Sequence, residues 1–144
     1  MNLSRPKVFL VVLVSTLACH NAAGPPTLPA EFVLDNINGR PLPTYVASTP
    51  GPTATIFSAN LTLDGSGNAV MTEHRQDVLQ GDLRSTVTLD YRINGNAIEL
   101  GCFRPHPANL LCIDYSGIIS SVTLRLTIAS SQPLIYNYRI APTL

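Results

Sequence analysis

Ser85-Thr86-Val87-Thr88-Leu89-Asp90-Tyr91-Arg92-Ile93, then Asn94-Gly95-Asn96, then Ala97-Ile98-Glu99-Leu100-Gly101-Cys102, is the stretch that decides the fold. Val87, Leu89, Tyr91 and Ile93 point one way, and Thr86, Thr88, Asp90 and Arg92 the other. A period of two is the signature of a half-buried β-strand. Asn-Gly accepts the positive φ that a two-residue hairpin turn requires, so the chain reverses there. Ile98, Leu100 and Cys102 then continue the inward set on a second strand.

The same alternation recurs outward from this hairpin, and no segment beyond Glu31 has a convincing helical period. Toward the N-terminus, Ala69 to Gln76 reads as a strand, entered through the turn Asp64-Gly65-Ser66-Gly67-Asn68. Ala54 to Leu63 precedes it, with Phe57, Ala59, Leu61 and Leu63 expected on one face. A short extended piece at Tyr45-Val46-Ala47 and a first strand at Phe32-Val33-Leu34 lie further back. Toward the C-terminus, Leu110 to Ile119 is more apolar and is expected to be buried on both faces. Val122, Leu124, Leu126 and Ile128 alternate inward on the next strand, and Leu134, Tyr136, Tyr138 and Ile140 on the last. About eight short antiparallel strands with local turns predict an all-β domain. An up-and-down barrel is the expected form, because closure removes exposed edges, with a two-sheet sandwich as the alternative.

The N-terminal region reads differently. Arg5 and Lys7 precede an apolar run, Val8 to Leu17, and small Ala18 follows. That order is an export signal, expected as a helix over residues 1–18. The run is about half the ~20 residues a transmembrane helix needs. Thr16-Leu17-Ala18-Cys19 resembles the lipobox of bacterial lipoproteins. The resemblance implies acylation of Cys19, hence a membrane tether of two or more chains, and a place in the periplasm or at the cell surface. Residues 19–30 are then the anchor cysteine and a Pro-rich spacer, and residues 31–144 the domain.

Charge and cysteine usage narrow the partners. After loss of Arg5 and Lys7, seven basic residues remain, all Arg and scattered, against nine acidic ones. Nucleic-acid binding calls for a basic stripe, which is absent from the sequence. Cys102 and Cys112 meet an oxidising compartment and are expected to pair. They flank a Pro-rich turn and could face one another across a hairpin.

Asn38-Gly39-Arg40-Pro41-Leu42-Pro43, Leu61-Thr62-Leu63-Asp64-Gly65-Ser66-Gly67 and Tyr91-Arg92-Ile93-Asn94-Gly95-Asn96-Ala97-Ile98-Glu99-Leu100 give the chain a family look. Leu124-Arg125-Leu126 and Tyr136-Asn137-Tyr138 continue it. Together they resemble small lipocalin-like β-barrel lipoproteins of bacteria, a group with no assigned catalytic residues. The chain departs from true lipocalins in having no Trp.

No residue cluster specifies a reaction. Glu73-His74-Arg75 reads as a solvated strand face, with Glu73 and Arg75 on one side and His74 on the other. His74, His106 and Asp114 have the chemistry of a base and its orienter, but their spacing does not require them to meet. Ser66 lies in a turn, not in a nucleophile elbow. Asp64 with Asn68 lacks the further oxygen ligands of a calcium loop. The sequence calls for no cofactor and no metal. The first expectation is therefore a non-enzymatic envelope barrel that is structural or binds another envelope protein through the loop around Phe103, Arg104 and His106. The alternative is a carrier of a small apolar ligand lined by Tyr91, Leu100, Leu126, Tyr136 and Tyr138. A hydrolase is the distant alternative.

Overall fold

A computed structural model describes residues 24–47, 53–105, 112–128 and 133–142. The expected signal helix and Cys19 lie outside the described residues, as does His106. The described part is all-β. Its strands are β1 (Ala30–Ile37), β2 (Arg40–Pro41), β3 (Thr44–Val46), β4 (Ala54–Leu63) and β5 (Asn68–Asp77). They continue with β6 (Gly81–Asn94), β7 (Ala97–Gly101), β8 (Tyr115–Ile119), β9 (Thr123–Ile128) and β10 (Leu134–Ile140).

From β4 to β10 each strand pairs antiparallel with its successor, and β10 pairs with β1. Ala30 to Val33 of β1 then pairs with Asn60 to Leu63 of β4, which closes an eight-stranded barrel. Closure settles the choice against two separate sheets, since no long edge is left unpaired. The turns are those the sequence asks for. Gly95 has φ +59° in the β6–β7 hairpin. In the β4–β5 turn the Asp64 carboxylate accepts hydrogen bonds from the Asn68 side chain (2.6 Å) and from the backbone N–H groups of Asn68 (2.8 Å) and Ser66 (2.9 Å). These donors, the Asn68 side chain foremost, hold the carboxyl well below the usual carboxylate range.

The two ends of the barrel differ. At one end β1 and β4 pair directly, and the interior is closed by Phe32, Leu61, Leu63, Ile98, Leu100, Ile119, Leu124 and Leu126, each no more than 1% exposed. Full burial of such side chains stabilises by about 1.5–3 kcal/mol each before chain entropy is set against it. Leu28, just before β1, packs on this core. At the other end β1 and β4 part. β1 pairs there with β2, and β4 with β3. The barrel is therefore narrow and filled at one end and wide at the other.

Some parities differ from the sequence reading. A bulge between Ile56 and Ser58 shifts the register of β4. Ile56 is consequently the inward residue at 3% exposure, while Phe57, expected inside, is 39% exposed. A bulge places two residues against one, so the alternation above it changes face. Val122 precedes β9 and is exposed, and Ile118 of β8 faces outward at 61% exposure, so the described part of that strand is not buried on both faces. β6 begins at Gly81, before Ser85.

Gly117 lets two strands approach. A Cβ there would stand 1.9 Å from the carbonyl oxygen of Arg125 on β9. Backbone cannot swing aside as a side-chain tip can, so Gly117→Ala forces β8 and β9 apart. The expected loss is about 1–3 kcal/mol, the usual range for overpacking. A urea midpoint equal to that of the parent chain would refute it.

Candidate functional site

The wide end holds a cavity of about 170 Å³. Its wall is mostly apolar: Met71 of β5, Val87 of β6, Ile128 of β9, Tyr136 of β10, and Ile113 from the β7–β8 loop all line it. Two charged residues of β5 share the wall. Glu73 and Arg75 have the same parity as buried Ala69 and Met71, so the pleat turns them into the barrel. Arg75 Nη1 donates to Glu73 Oε1 at 3.0 Å, with only 13% of the Glu73 side chain and 27% of the Arg75 side chain exposed. The solvated-face reading of this group is thus corrected for two of its three residues. His74 alone faces outward, where its Nε2 lies 2.7 Å from Asp82 Oδ1 and its ring stacks on Phe57 at 5.1 Å.

Three phenols cluster with this pair. Burial pushes the Tyr115 hydroxyl up to about 12, with Glu73 adding to the rise and Arg75 opposing it. Burial, and then the Glu73 charge, raises Tyr136 as well. Tyr138 is raised chiefly by burial, with smaller contributions from Tyr115, Tyr136 and Glu73. The hydroxyl of Tyr115 donates to Met71 Sδ across 3.9 Å, a weak partner. Among the described residues, Arg75 Nε and the Tyr138 hydroxyl are buried side-chain atoms without a hydrogen-bond partner. Buried polar groups are normally satisfied, so the concentration of both exceptions in one cluster is informative.

The expected lining residues separate. Tyr136 lines the cavity, and Tyr138 is buried in the tyrosine cluster. Leu100 and Leu126 are fully buried in the filled half. Tyr91 is half-buried and donates its hydroxyl to the carbonyl oxygen of Asp64 in the β4–β5 turn, at the narrow end. The cavity lies toward the wide end from the set that parity alone selected. Glu73, Arg75, Met71 and Val87 were missed as lining residues.

The start of the β7–β8 loop is fastened to the outer wall. Cys102 and Cys112 form a disulfide with a Cα separation of 5.9 Å. A loop of this size is worth about 3 kcal/mol of chain entropy. Arg104 donates through its backbone N–H to Asp90 Oδ2 at 2.8 Å and through Nε to Oδ1 at 2.5 Å, and its Nη2 reaches Asn68. Asp90 is only 4% exposed, so this arginine neutralises a carboxylate that water does not. Phe103 lies against the Arg92 guanidinium at 4.3 Å. Phe103 and Arg104 thus bind their own barrel. Among the described residues no group of three or more His, Cys, Asp or Glu side chains is placed to hold a metal ion.

Comparison with known proteins returns no matching family model, no matching curated protein and no matching solved structure.

Proposed function

We propose that this chain is an exported, lipocalin-like barrel of the bacterial envelope, tethered through Cys19, that holds a small and mainly apolar molecule in its wide end without transforming it. The observation that carries the reading is the Glu73–Arg75 pair inside the lumen. A barrel selected only for stability gains nothing from such a pair, because apolar side chains of similar volume there are neutral or better. An eight-stranded barrel is also the size at which the interior either fills or takes one small ligand. Here the narrow half fills and the wide half does not. Gly24 to Pro29 lead into β1, whose start pairs with the end of β4 at the narrow end, so a tether through Cys19 would join the domain from the end away from the cavity.

A second reading, a barrel that binds another envelope protein, is favoured by Val78 and Leu79 in the β5–β6 turn at the wide end, 70% and 93% exposed. Native mass spectrometry of the Cys19→Ser chain, secreted into a bacterial periplasm, separates the two. A ligand-holding barrel is expected to retain an added small mass that leaves on denaturation. Val87→Phe is expected to abolish it by filling the cavity, and to leave the fold intact because Val87 is 40% exposed. A bare polypeptide mass in both chains would move the search to protein partners.

A further inference from the structure

The chemistry of the cavity points to a class of ligand, an inference that rests on reading the cavity as a ligand site. Arg75 carries five N–H donors, and Glu73 engages it through Nη1 alone, at 3.0 Å, rather than through the two-point fork. Arg75 Nε has no partner but is sealed in the wall, so a ligand meets the guanidinium through its other N–H groups. Tyr115 and Tyr136 line the cavity and bring phenolic hydroxyls, which burial keeps neutral. Among the described residues Glu73 is the one carboxylate on the wall, and it already accepts from Arg75. The hydroxyls can donate or accept, but the arginine N–H groups can only donate and exceed what Glu73 takes up, so a fitting ligand brings an acceptor.

Charge restricts the ligand further. Glu73 balances Arg75 within the cavity. An anionic ligand would place a second negative charge beside Glu73 between apolar walls, which is costly. A cation would meet Arg75. An uncharged acceptor oxygen satisfies the donors and leaves the balance as it is. Size completes the description. A dry apolar cavity of about 150 Å³ in another protein accepts benzene, and this one measures about 170 Å³.

We propose that the cavity takes a compact, uncharged carbonyl compound, about one ring in size, whose oxygen accepts from Arg75 while its carbon body lies against Met71, Val87, Ile128 and Tyr136. Titration of the Cys19→Ser chain by calorimetry with three probes of one shape tests this: acetophenone, ethylbenzene and benzoate. Acetophenone is expected to bind about tenfold tighter than ethylbenzene, the worth of one hydrogen bond to a charged donor, and benzoate is expected to bind weakest. In the double variant Glu73→Leu/Arg75→Met the ketone and the hydrocarbon are expected to bind equally. Ethylbenzene binding as well as acetophenone in the parent chain would overturn the carbonyl class and keep the ligand site. Benzoate binding tightest would overturn it in favour of an anion site. Binding of none of the three would overturn both the class and the ligand reading beneath it.

Discussion

Raising the pH from 10 toward 12 is expected to unfold this barrel, steeply and through three phenols acting together. Tyr115, Tyr136 and Tyr138 all resist ionisation in the folded chain, because burial removes the water that a phenolate needs. In the unfolded chain they titrate at the ordinary value near 10. Below that pH both states carry the protons and the stability is complete. Above it the unfolded state releases protons that the folded state keeps, so stability falls as the pH climbs. Each phenol contributes a slope of about 1.4 kcal/mol per pH unit, and three give about 4. The Tyr115 contribution levels off near 12, where its folded form also ionises. Over those two units the loss comes to about 7 kcal/mol, which brings a domain at the low end of the ordinary range of about 5–15 kcal/mol to its midpoint. Urea titrations at stepped pH, read by circular dichroism, measure the slope. Tyr136→Phe/Tyr138→Phe is expected to cut it to about a third. Phenolate absorbance that rises fully near pH 10 with the fold intact would refute the account.

The same tyrosines show how far the sequence could be read. Alternation in Ser85 to Ile93 and the Asn94-Gly95 turn were sufficient for an antiparallel all-β domain, but barrel and sandwich share that alternation, and the pairing of β1 with β4 decides between them. Tyr136 and Tyr138 were legible as inward from the same alternation. Phe57 was not, because a bulge resets the pleat and leaves no mark in composition. Glu73 and Arg75 were misread for a deeper reason. Charged residues almost never face a core unless they are paired, so the usual rule sends them to solvent. Their shared parity with Ala69 and Met71 was the available signal, and it pointed inward. The conflict between polarity and parity was itself the mark of the site, in keeping with the tendency of functional sites to break local rules. Nothing in the strand pattern told that β1 and β4 part at one end. That follows from β2 and β3, pieces too short to carry a period.

Arg75→Met is expected to destabilise the barrel by about 3 kcal/mol, the low end for breaking a buried ion pair, because it leaves the Glu73 carboxylate without its partner in an apolar wall. Glu73→Leu is expected to cost less than Arg75→Met. The Arg75 side chain is 27% exposed and can turn its guanidinium toward the wide mouth. Removing both charges together, as Glu73→Leu/Arg75→Met, is expected to cost nothing or to stabilise, since no ion is then left to be desolvated and the new side chains extend the apolar lining of Met71 and Val87. The cycle thus separates what the pair does for the fold from what it does for a ligand. A stable double variant that no longer distinguishes a ketone from a hydrocarbon is what a binding role requires. Urea midpoints of the four chains measure the coupling directly. If the double variant is as unstable as Arg75→Met, the pair holds the barrel wall together, and the ligand reading loses its main support.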